Sequence, residues 1–205
     1  MKRGLMIALA FSFCGAVIVS PPIFALNTPT PVFGYHMSGG ISNIYTYIDT
    51  QQTPAASYWQ NFIKAAINNW MYTGVGANNF YNLGYVSSGT SGSKLDFYSK
   101  YASYWGAEGP FVFAQTSFWT YSIVQADPYS QDWYSGQIDL NHTKLSSSSV
   151  SDDVARGVMK HEIGHAFGLD HNNSNQYSIM CQMEFGRQVQ SVQAVDNTAL
   201  NGLYP

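Results

Sequence analysis

Three of the chain's five histidines fall within eleven residues, "HEIGHAFGLDH" at 161–171, and their spacing restricts the backbone that can carry them. On an α-helix, residues four apart lie about 40° from alignment, so His161 and His165 project from one face, one turn apart. Two imidazoles at that separation can share one cation. Glu162 lies about 100° round the helix from His161 and can reach the zone beside the cation without coordinating it. Gly168 tolerates the left-handed conformation that ends helices. A reversal there brings His171 back as a third ligand from outside the helix. Three imidazoles leave a fourth tetrahedral position for water, the layout of a catalytic zinc site and not of a closed structural one. H-E-x-x-H alone arises by chance in roughly one chain of this length in a few hundred. The added glycine and third histidine make coincidence rarer by a further two to three orders of magnitude, roughly.

The rest of the chain supplies a scaffold for that helix. Ser151 can cap its start, with Asp152 and Asp153 in the first turn where the helix dipole favours negative charge. Upstream, Ala55, Trp59, Phe62, Ile63, Ala66, Ile67 and Trp70 recur at three- and four-residue intervals. They mark an amphipathic helix, with Thr53 as N-cap, Pro54 at the first helical position and an end by Gly74. "ISNIYTYID" (41–49), "NFYNLGYV" (79–86), "KLDFYS" (94–99), "PFVFAQTSF" (110–118) and "GQIDLN" (136–141) read as strands, and 120–135 as a long surface loop. "VDNTALNGLY" (195–204) reads as a terminal helix.

Length and composition, 205 residues with 45% hydrophobic, suit one domain with a substantial core. Residues 1–25 read as an export signal. Lys2 and Arg3 precede an apolar run over 5–19, and Ile23, Phe24 and Ala25 form a small-residue cleavage site. The run is short of the roughly 20 residues that span a bilayer, so no membrane span is expected after signal removal. The remainder carries seven basic against twelve acidic residues, a formal charge of −5, which argues against a nucleic-acid partner. It retains only Cys181, so no intrachain disulfide can form.

The string matches H-E-x-x-H-x-x-G-x-x-H, and "YSIM" ends in Met180 nine residues after His171. In both respects the chain resembles the metzincin clan of zinc metalloendopeptidases. "GHAFGLDH", "SIM" and the terminal "VDNTALNGLY" are most similar to the matrixins. The resemblance is strong over 151–205; over 26–149 it rests on the order of elements. It implies an α+β, zincin-like catalytic domain over 26–205, with a twisted, mixed five-stranded sheet. An upper part (about 26–168) would carry the active-site helix, and a small irregular lower part (about 169–205) would close the cleft. It further implies that His161, His165 and His171 hold one catalytic Zn2+, that Glu162 is the general base, and that Met180 floors the site. The expected protein is a secreted, extracellular, monomeric enzyme acting on protein or peptide substrates. Substrate would extend along an edge strand, for which "PFVFAQTSF" is the candidate. Calcium has no support in the sequence.

Departures from the family pattern are Asn172, where matrixins have serine, and Gln182, where they have proline. No tyrosine occupies that second site to assist an oxyanion. His36 and His142 are expected to be ordinary polar residues, and Cys181 a small buried one. With fifteen tyrosines, the rival reading is a zinc-holding extracellular adhesion or binding module without proteolysis. Glu162 counts against it, because a structural metal needs no uncoordinated carboxylate beside it.

Overall fold

The computed structural model describes residues 28–42, 44–75, 84–86, 90 and 92–205. The expected export signal lies outside them, as does most of the 79–86 run. Strands β1 (Tyr45–Ile48), β2 (Gly84–Val86), β3 (Ser93–Lys100) and β6 (Ser135–Asn141) pair in parallel, while β4 (Ala114–Trp119) and β5 (Gln125–Ala126) join antiparallel. The sheet order is β2-β1-β3-β6-β4-β5. The expected five strands are therefore present, with a sixth of two residues at one edge.

That sixth strand falls inside the segment read as a surface loop. Thr120 and Val124 close a tight reversal (Thr120 N–H to Val124 O, 2.9 Å), with Ile123 at φ 59°, and the chain returns along the end of β4. Further on, Trp133 is fully buried and its indole donates to Ala166 O at 3.0 Å. It thereby supplies a partner for a carbonyl at the end of the histidine-bearing helix. The segment is thus a loop broken by a two-residue strand and anchored by Trp133, whose partner lies 33 residues away.

The first helix also starts later than Thr53. Asp49 Oδ2 accepts the Gln52 N–H (2.9 Å) and its carbonyl accepts the Ser57 N–H (3.0 Å), so the chain after β1 is held in a turn. A 3-10 turn over Ala56–Trp59 follows, and then α1 (Gln60–Met71), which buries Ile63, Ala66, Ile67 and Trp70. A short α2 (His142–Leu145) leads to α3 (Asp152–Ala166), capped as expected by Ser151 Oγ accepting the Val154 N–H. The terminal helix α4 spans Ala194–Leu203.

Helix α3 packs on the sheet against β4 and β6, and α1 packs against α3; the alternate strand residues Leu95, Phe97, Ile138 and Leu140 are buried. Burying these with Trp70, Met159, Ile163 and Phe167 supplies the main stabilisation, roughly 1.5–3 kcal/mol per large apolar side chain. Gly136 sets how closely α3 approaches β6, since a Cβ there would lie 2.7 Å from Ala166 Cβ. The helix therefore rests directly on strand backbone, which fixes the histidine face against β4.

Candidate metal centre

Helix α3 ends at Ala166, and Gly168 takes φ 108°, with its N–H on His165 O (2.8 Å) and the Leu169 N–H on Gly164 O (2.9 Å). Both bonds occupy carbonyls that the helix end leaves free. Residues 31–33 pair with this turn through Phe33 N–H to Gly168 O and Asp170 N–H to Pro31 O. The reversal carries His171 back over the helix, and the three ring nitrogens converge: His165 Nε2 lies 3.1 Å from His161 Nε2 and 3.0 Å from His171 Nε2. Among the described residues these three form a group able to hold a metal ion, with His161 and His165 buried and His171 the most open.

The hydrogen bonds behind the rings decide what the convergence is for. His161 Nδ1 faces Ile179 O and His165 Nδ1 faces Leu169 O, each at 2.8 Å. A carbonyl only accepts, so each Nδ1 carries the proton and each Nε2 presents a bare lone pair. Two such lone pairs at 3.1 Å repel unless a cation lies between them. Nitrogens on a tetrahedral ion at about 2.0–2.1 Å stand roughly 3.3 Å apart, so the donor set fits zinc. Burial keeps the rings neutral, as ligation requires. It holds His161 well below the ordinary imidazole range, pushes His165 down to about 4 and lowers His171.

Glu162 is buried beside His161, and burial raises its carboxyl to about 7. Thr116 opposes that rise: its hydroxyl lies 2.7 Å from Glu162 Oε2 and 3.0 Å from Glu162 O. The sequence reading missed Thr116. The available signal was a polar residue on the inward-facing register Ala114, Thr116, Phe118 of β4. Met180 lies under the helix, where Gly164 leaves room for its sulfur, and the Met180 carbonyl accepts the Asn172 N–H at 3.0 Å.

Below the site, Asp196 Oδ1 accepts from Thr30 Oγ1 (2.6 Å) and Ser178 Oγ, and its Oδ2 accepts from Ile179 N (3.0 Å) and Gln193 N (3.0 Å). The carboxylate so fixes the carbonyl-bearing segment that orients His161. Asn172 points away from the histidines, donating to Thr30 Oγ1 at 3.2 Å. Gln182 exchanges two hydrogen bonds with Asn173 and forms part of the cleft rim. Cys181 is a free, buried thiol whose pKa burial raises. His36 pairs with Asp132 at the surface, and His142 is ringed by Tyr58, Trp59 and Tyr101. Neither approaches the metal group.

Two cavities meet at His161, Glu162, Ala114 and Gln182. One, of about 360 Å³, runs past Thr116, His165, His171 and Tyr129. The other, of about 230 Å³, runs past Phe113, Val158, Met183 and Arg187. Together they make a cleft with β4 on one rim and residues 182–184 on the other. Outer-edge pairing of β4 with β5 is confined to Phe118 and Trp119, which leaves Ala114–Ser117 unpaired on that side among the described residues.

A comparison with curated proteins finds no match. The family model described as Matrixin matches residues 45–205, from β1 through the metal group to the last helix. With that span and this site geometry, the chain belongs to the matrixins, zinc metalloendopeptidases built on an α+β metzincin fold.

Proposed function

We propose that the protein is a secreted, monomeric endopeptidase in which His161, His165 and His171 hold one zinc ion, Glu162 is the general base and Met180 forms the floor. Bound zinc supplies a Lewis acid that polarises the scissile carbonyl and acidifies water. Glu162 takes the proton of the attacking water and delivers it to the leaving amine. A carboxyl near 7 is matched to both transfers at neutral pH. The Thr116 hydroxyl orients that carboxylate toward the histidines. Substrate adds as an extended strand along the open edge at residues 114–117, its backbone bonding to β4. Lys2, Arg3 and the apolar run over 5–19 support export. Among the described residues no helix is long and apolar enough to cross a membrane.

The observation that carries the reading is the pair of bare Nε2 atoms facing each other with a buried carboxylate alongside. A merely structural zinc would not require that carboxylate. Glu162→Ala in zinc-verified protein is expected to lose casein cleavage by at least three orders of magnitude, roughly, while keeping the metal. Undiminished cleavage in that sample would remove the peptidase assignment of Glu162.

A further inference from the structure

The cavity that contains His161 and Glu162 but neither of the other histidines has walls and a base of opposite character. Phe111, Val112, Phe113, Val158 and Met183 supply apolar surface, and Arg187 is the one cation in its lining. Arg187 is 6% exposed. Its Nη1 donates to Ile179 O at 3.2 Å and its Nη2 to Gln190 Oε1 at 3.3 Å, both neutral and both at long range. Its Nε–H is buried with no hydrogen-bond partner, and no ion pair joins it to a carboxylate among the described residues. Burial lowers the guanidinium to about 10, so it remains charged at neutral pH.

A buried cation with one donor unmet and two weakly met is an incomplete arrangement. Of the two carboxylates in the same lining, Glu162 attracts the guanidinium through space but forms no ion pair or hydrogen bond with it, its Oε2 being held by Thr116, and Glu184 is exposed at the rim. Neither completes it. An apolar side chain entering the cavity would strip further water from the guanidinium and offer nothing in return. A side chain with an apolar stem and a terminal carboxylate would pack its methylenes against the walls and bring a counter-charge to the guanidinium.

We propose that this cavity receives the side chain that follows the scissile bond, and that Arg187 makes it select a residue ending in a carboxylate, glutamate or aspartate. The inference rests on the peptidase reading above. Arg187 is also a neighbour of the metal group, because Ile179 O accepts both its Nη1–H and the His161 ring. Replacing it will alter absolute rates whatever its part in selection. The decisive quantity is therefore a ratio.

The test uses zinc-loaded full-length protein and a series of fluorogenic peptides identical except for Glu, Gln or Leu after the cut. Wild type is expected to cleave the Glu peptide with kcat/KM about tenfold or more above the Gln and Leu peptides. In Arg187→Gln the Glu-to-Leu ratio is expected to fall to about one or below, and Arg187→Lys is expected to keep part of it. A wild-type preference for Leu over Glu, or an unchanged ratio in Arg187→Gln, overturns the proposal while leaving the peptidase reading standing. Should the Gln variant not fold, the wild-type series alone decides. Failure of zinc-loaded wild type to cut any peptide of the series overturns the peptidase reading and this one with it.

Discussion

Replacing Thr116 with valine keeps the branched shape of the side chain and deletes the hydroxyl 2.7 Å from Glu162 Oε2. Hydrogen bonds to charged groups contribute roughly 1.5–3 kcal/mol. The protonated carboxyl also uses this hydroxyl, which can accept from Oε2 while donating to Glu162 O. The difference between the two protonation states is therefore smaller, about one pKa unit or about 1.4 kcal/mol. The sign follows from burial, which raises Glu162 to about 7, and from Thr116, which opposes it. Without the hydroxyl the carboxyl rises further, so less base is present at neutrality. The acidic limb of kcat/KM is expected to move up by about one unit, costing about fivefold at pH 7 and little at pH 9. The assay is kcat/KM from pH 5.5 to 9.5 for wild type, Thr116→Val and Thr116→Ser at equal zinc content, with serine expected to restore the limb. Coincident acidic limbs for valine and wild type, or a loss equal at every pH, would refute the argument.

Asp196→Ala removes an acceptor shared by four donors around a fully buried carboxylate. It is expected to cost about 3–5 kcal/mol in urea unfolding and to weaken zinc retention; a cost below about 1 kcal/mol would show the network to be dispensable. Gly164→Ala gains about 1 kcal/mol of helix propensity. The new Cβ would, however, collide with Met180 Sδ and stand 3.0 Å from Trp70 Cζ2. Overpacking of about 1–3 kcal/mol is expected to lower Tm, and a raised Tm would mean the floor has slack. Burial raises Asp96 to about 6, above its unfolded value, so its ionisation opposes folding above that pH and the opposition fades as pH falls toward 4. Asp96→Asn is therefore expected to be more stable than wild type at pH 7.5, by up to about 3 kcal/mol, and equal near pH 4. Denaturant midpoints at both pH values check this, and a gap of the same size at pH 4 contradicts it.

What could be read from the sequence is what a single stretch of backbone determines. Helical spacing places His161 and His165 on one face, Gly168 ends the helix, and Ser151 begins it, all through residues within one or two turns of each other. The period-two strands were legible for the same reason. Thr116, Arg187 and Asp196 were not, because their meaning lies in partners 46, 8 and 166 residues away. No spacing rule says which polar side chain of an irregular segment turns inward. Gly157 leaves room for Gln190, the Nη2 partner: a Cβ there would overlap Gln190 Oε1 and stand 3.2 Å from Arg187 Nη2. Of the departures in the string, Asn172 donates to Thr30, 142 residues away, and Gln182 bonds Asn173 at the cleft rim, so the convergence of the three rings does not depend on either family residue.

The clasp at Asp196 ties Thr30 to the last helix, across the same strip that steadies His161. Loosening the chain at residue 30 or at the start of the last helix would thus disturb a ligand ring without any histidine being touched.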